Sequence, residues 1–323
     1  MGVQFVTLGE ARQLAANTPA DILDGVLHSG TTILYGPSGI GKGRIIAEIV
    51  AAAVAGKPWA GRRWTRPVRK VAILATDIGA DREYGAYLDR TGIGLEYDDA
   101  VRVYRVGIAP SSADWRELCG SVLGWGPGLV VLDNGTEMVR GSVNDNERVS
   151  DLFADLRPLH SGPDRVSLLV AHHTAKPDPQ AGNRRSRTPL GSVAWENFSR
   201  SKVYVREAYG RDNADLTLEI RPRESAPWEA HLLEKDGRLV FDHAGNPGER
   251  QKRSRADTLA RDGQIADWYA QNCQGVTNAE ASRRLAVQFP ELSPKAKNRP
   301  AAIEVMFAQK RGFAALIPEA EAA

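Results

Sequence analysis

Gly36-Pro37-Ser38-Gly39-Ile40-Gly41-Lys42-Gly43-Arg44 sets its outer glycines and a lysine in the spacing G-x-x-x-x-G-K. Glycines let successive backbone N–H groups turn toward one point, and the lysine ammonium adds a mobile positive charge for β- and γ-phosphates. The flanks agree with that chemistry. Ile33-Leu34-Tyr35 reads as a buried strand, and Ile45 to Ala51 has helical spacing, so the positive end of a helix dipole faces the loop. A glycine-rich turn without a ligand is the competing reading. One position departs from the pattern: Gly43 stands where a P-loop places a Ser or Thr hydroxyl on the nucleotide's Mg²⁺. Either a water takes that coordination position, since Mg²⁺ keeps several waters, or the site binds nucleotide and turns it over slowly or not at all.

Three strand ends carry further candidates. Val71 to Ala75 closes at Thr76-Asp77, and a carboxylate at the C-terminal end of a parallel strand sits where an α/β sheet keeps its chemistry. Asp77 reads equally as the N-cap of a helix from Ala80 to Arg90. Gly128 to Asn134 is an apolar run closed by Asp133, the form of a Walker B strand, whose carboxylate lies near the Mg²⁺ of the bound nucleotide. Many buried strands end in Asp; one downstream of a P-loop is more specific. Val166 to Ala171 ends at His172-His173-Thr174-Ala175-Lys176, and two histidines at such an end point to a γ-phosphate sensor. Zinc does not suit them, because adjacent strand residues face opposite sides and no third ligand is evident.

The elements that position these groups are legible in outline. Residues 20–27 should pack beside the first strand, and Gly56-Lys57-Pro58 stops the helix after the P-loop. A basic exposed loop covers 61–70, Val101 to Val106 alternates as an edge strand, and Asp114 to Leu123 and Arg148 to Leu159 are helical. Residues 176–188 form a basic loop with Arg184, Arg185 and Arg187, suited to a phosphate backbone or simply solvated. A short helix (Pro189 to Arg200), strands Lys202 to Glu207 and Leu216 to Ile220, and a hairpin turning at Lys235-Asp236-Gly237 follow. The fold class is α/β, a mostly parallel sheet with a C-terminal β extension, over residues 1–245. A basic linker (246–255) leads to a small domain (256–323) of three helices, Ala256 to Asn272, Asn278 to Val287 and Arg299 to Arg311. Its basic residues allow a winged-helix DNA binder, or equally a bundle for oligomer contacts.

The formal net charge of +2 excludes nucleic-acid binding through a global field, so any such contact must be local. Cys119 and Cys273 form no metal or disulfide framework. No signal peptide is evident, and no apolar run reaches the roughly 18–20 residues that span a bilayer. The expectation is a soluble cytoplasmic protein without membrane contact.

The P-loop, the Val-Val-Leu-Asp-Asn strand, the His-His-Thr-x-Lys strand end and Gly191-Ser192-Val193-Ala194-Trp195 leading to Arg200 occur in that order. Over about residues 20 to 242 the chain resembles the RepA-like branch of RecA-fold hexameric replicative helicases. That resemblance implies ATP with Mg²⁺ as cofactor, single-stranded DNA as partner, a homohexameric ring, and possible replication partners. It implies that Gly36 to Arg44 cradle the nucleotide, Lys42 binds phosphates and Asp133 sits by Mg²⁺. Asp77 would polarise the attacking water, where such motors usually carry Glu, and His173 or His172 would sense the γ-phosphate. An arginine of one subunit would complete the neighbour's site, with Arg200, Arg221 and Arg223 as candidates. The departures at Gly43 and Asp77 favour a second reading, a non-motor nucleotide-dependent regulator, helicase loader or defence module.

Overall fold

The computed structural model describes residues 5–160, 166–174, 188–208 and 215–242, with scattered positions between 268 and 288. The chain divides into two compact units, Met1–His243 and Ala244–Ala323. The basic segment expected over 176–187, the linker at 246–255 and nearly all of the three C-terminal helices lie outside the described residues. In the second unit Arg284 pairs with Glu280, and Cys273 is buried.

In chain order the first unit comprises α1 Leu8–Asn17, β1 Asp21–Leu23, β2 Leu27–His28, β3 Thr31–Gly36, α2 Lys42–Val54, β4 Val71–Ala75, α3 Ala80–Thr91, β5 Val101–Arg105 and α4 Ser112–Trp125. It continues with β6 Leu129–Asp133, α5 Asn146–Asp155, α6 Arg157–His160, β7 Ser167–His173, α7 Ala194–Phe198, β8 Ser201–Glu207, β9 Leu216–Pro222, β10 Trp228–Lys235 and β11 Arg238–Phe241. Nine strands form one sheet in the order β11-β10-β9-β8-β3-β7-β6-β4-β5. Pairings from β5 across to β8 are parallel, and those from β8 to β11 are antiparallel.

Helices cover both faces of the parallel part, which is why its strands are apolar without interruption. Successive side chains alternate between two cores. Leu34, Val131, Leu169 and Ala171 join the core under α2 and α3, whereas Ile33, Val130, Leu132, Leu168 and Val170 join the one containing residues of α4 to α7. The strand order puts β7 between β3 and β6, so the histidine pair ends up between the P-loop and Asp133. In register, His173 lies beside Gly36 and Asp133 beside Ala75.

Local chemistry sets the boundaries. Ser111 and Asp114 form a capping box that starts α4, and Gly126 at φ 74° closes it. Several details differ from the sequence reading. The helix expected from Arg148 to Leu159 is two helices, because Pro158 has no N–H to give the preceding turn. The helix expected from Pro189 to Arg200 shortens to α7, since Gly191 at φ 95° ends the strap that precedes it and the helix begins only after Val193. The loop over 61–70 is not simply solvated: Trp64 bridges to Leu23, and Arg62 stacks 4.2 Å from the Trp228 ring. α1, started by a Thr7–Glu10 capping box, went unread because it buries no residue and so carries no apolar stripe.

Trp115 is 1% exposed within the second core. Trp115→Ala is expected to lower unfolding stability by about 3–5 kcal/mol, read as an earlier midpoint in urea with the denaturant slope retained.

Candidate functional site

The P-loop, Asp77, Asp133 and the histidine pair lie at the C-terminal edge of the parallel strands. β3 ends at Gly36, and the loop turns into α2 through Gly39 at φ 73° and Gly41 at φ 95°, conformations in which a Cβ is strained. Gly41 is the N-cap of α2 and offers no side-chain cap. The first-turn N–H groups and the helix dipole therefore remain for an anion. Lys42 is 8% exposed, and its ammonium donates to the carbonyls of Gly36 (3.1 Å) and Pro37 (3.0 Å). Burial lowers its pKa, and the charge of Asp133 opposes that.

Asp133 ends β6 facing the same space, where burial raises its carboxyl pKa. The Tyr84 hydroxyl donates to Asp133 Oδ2 at 2.5 Å and works the other way, while the Asp77 carboxylate adds to the rise. Asp77 itself is exposed on the loop before α3. It does not cap that helix: the N-cap is Gly79, with no side-chain cap bond. Its charge still reaches Asp133, Tyr84 and His173.

The histidines separate, as adjacent strand residues must. His173 is half-buried with Nδ1 3.4 Å from Lys42 Nζ. His172 faces the other core and is 0% exposed, its Nδ1 2.9 Å from Thr136 Oγ1 and its Nε2 2.7 Å from Leu190 O. Its ring lies 4.2 Å from that of Trp195, and burial pushes its pKa down to about 4. A direct phosphate contact by His172 is thereby corrected: both ring nitrogens are taken up inside the core, and the residue ties β7 to the strap before α7.

One further expectation changes. The Arg44 side chain leaves the phosphate loop, donating to Glu234 Oε2 at 2.9 Å and to Gly237 O at 3.1 Å, so only its backbone stays with the cradle. Arg200, expected to serve a neighbour's site, lies away from its own chain's: its N–H bonds Thr31 O at the start of β3, whereas Lys42 lies past that strand's end. Six residues of β3, about 3.3 Å each, intervene. Arg221 pairs with Lys202 at the same far edge, and Arg223 follows it.

Sequence reasoning missed Tyr84 and Tyr87. They stand three apart on one face of α3, and a Cβ placed on Gly43 would lie 3.1 Å from Tyr87 Cε2. The missing side chain at Gly43 was the signal that something else fills that corner.

Among the described residues no group of three or more His, Cys, Asp or Glu could hold a metal alone. One carboxylate beside a phosphate cradle is nonetheless a donor set that suits Mg²⁺, which takes one or two carboxylates, phosphate oxygens and waters. Asp133 would hold the ion, and Gly39 to Gly43 with Lys42 would hold the phosphates.

A RecA-like sheet with this loop and this carboxylate defines a P-loop nucleotide-binding ATPase. The AAA domain family profile matches residues 4–179, more than half of the chain, and the chain belongs to that family. No curated protein matches it. Among the described residues no helix is long and apolar enough to cross a membrane.

The His172 environment yields a pH dependence. An unfolded histidine takes up its proton near 6.5, whereas His172 in the folded protein resists to about 4. Its contribution is complete above the unfolded value and is lost as pH falls through that window, by roughly 3 kcal/mol at the acid end. Urea titrations of the wild type and His172→Gln between pH 7.5 and 4.5 should show a shallower loss in the variant; parallel curves would refute the assignment.

Proposed function

We propose that this ATPase is a motor on single-stranded DNA, working as a homohexameric ring in plasmid- or phage-type replication. The observation that carries this reading is His173, which lies 3.4 Å from the phosphate lysine. One residue later, Thr174 bridges to Pro189. A change at the phosphates that moves Lys42 would be felt at the base of the segment bearing Arg184, Arg185 and Arg187, the residues proposed to meet the DNA backbone.

When bound, ATP with Mg²⁺ supplies the phosphoryl group and the charge that must be neutralised. In this reading Lys42 would leave its two loop carbonyls to bind the phosphates, Asp133 would hold the ion, and exposed Asp77 would orient a water. Arg200, Arg221 and Arg223 lie too far to serve their own chain's site. Completing a neighbour's site is therefore the role proposed for one of them.

A second reading rests on Gly43 and the aromatic ring beside it: nucleotide binding as an assembly switch in a regulator, loader or defence module. ATP hydrolysis by the purified protein, with and without single-stranded DNA and beside Lys42→Ala, separates the two. The motor should turn over several-fold faster with DNA and lose turnover in the variant. Tight ATP binding without turnover in either condition would replace it by the switch.

A further inference from the structure

The space beside Gly43 is crowded by an aromatic ring. Gly43 lies in the first turn of α2 with an ordinary helical backbone, so any residue could adopt its conformation. A Cβ there would instead meet the Tyr87 ring, at 3.1 Å from Cε2 and 3.6 Å from Cδ2. Tyr87 is partly buried where it packs against the core under α2 and α3, so a side chain at 43 requires its ring to shift by a few tenths of an ångström.

Its neighbour Tyr84, one turn earlier on the same face, is 2% exposed and aims its hydroxyl at Asp133. The two rings meet edge to face, 6.2 Å between centroids at 84°, so displacing one presses on the other. In a P-loop ATPase the hydroxyl after the lysine and the Walker B aspartate share one Mg²⁺. Here the aspartate is present, and the only side-chain hydroxyl bonded to it among the described residues comes from α3.

We propose that Tyr84 and Tyr87 together replace the hydroxyl residue that a P-loop carries after its lysine. Tyr84 is a positioning residue: its hydroxyl holds Oδ2 of Asp133 and leaves Oδ1 for the cation and its water shell. Tyr87 crowds the volume that a Ser or Thr side chain would enter, which favours glycine at 43 while Tyr87 is present. The pair and Gly43 are one exchanged unit, and a serine at 43 works only once the ring is gone. This rests on the nucleotide–Mg²⁺ reading of the site.

The test is binding of a fluorescent ATP analogue, titrated with MgCl₂ and separately with EDTA, with circular dichroism confirming that each variant is folded. The ratio of the two affinities isolates the metal. Tyr84→Phe keeps the ring and removes the hydroxyl; it should retain the EDTA affinity and lose about ten-fold of the gain from Mg²⁺, the size of one hydrogen bond to a charged group. In that background Gly43→Ser alone should not restore the gain, whereas Gly43→Ser with Tyr87→Ala should. An undiminished Mg²⁺ gain in Tyr84→Phe overturns the inference, as does equal rescue by Gly43→Ser with Tyr87 in place. A wild type that binds the analogue in neither buffer overturns the nucleotide reading itself, and this inference with it.

Discussion

A lysine ammonium held nearly out of water is the constraint on which the site depends. Burying such a charge costs several kcal/mol unless hydrogen bonds and an opposite charge accompany it. Here the carbonyls of Gly36 and Pro37 accept from Lys42, and Asp133 supplies the opposing charge. Those carbonyls turn inward because the chain reverses through glycines at positive φ. Asp133 is within range because β6 is carried there by the sheet. Loop, lysine and aspartate therefore stand or fall together, and a ligand phosphate competes with groups that already satisfy the ammonium.

The sheet sets the rest. Parallel strands need helices on both faces, so every crossover returns to the same edge and delivers its strand end there. Placing β7 between β3 and β6 sets His173 against Lys42 while the next residue back, His172, is driven into the opposite core. One histidine can follow the nucleotide; the other is a buried tie. The two differ by the pleat of a single strand.

α3 closes the corner over the cradle. Its tyrosines make this edge more hydrophobic than a phosphate site requires, and burial holds the Tyr84 hydroxyl protonated far above its ordinary range. A protonated phenol donates to an ionised carboxylate, which is the direction of the bond here. The side chain absent from α2 and the rings present on α3 are two aspects of the same packing.

The strands of the main sheet, the P-loop, Asp133 at its strand end and the final hairpin were legible because each is local: apolar runs, glycine spacing and turn residues leave their mark within a few positions, whereas the short β1–β2 pair left none. α1 was not, having no apolar stripe to betray it, nor was the break at Leu156, where helical periodicity continues across a proline. Side-chain partnerships were beyond reach for a different reason. That Arg44 would turn to Glu234, that Arg200 would lie at the far edge from Lys42, and that Tyr84 would reach Asp133 all depend on contacts between residues tens to nearly two hundred positions apart. By itself the sequence determined the chemistry on offer: a phosphate loop, a carboxylate, a histidine pair and a missing hydroxyl. Only the tertiary structure decided which of these groups meet, because strand order and the two-faced pleat are set by long-range packing that no short stretch of sequence encodes.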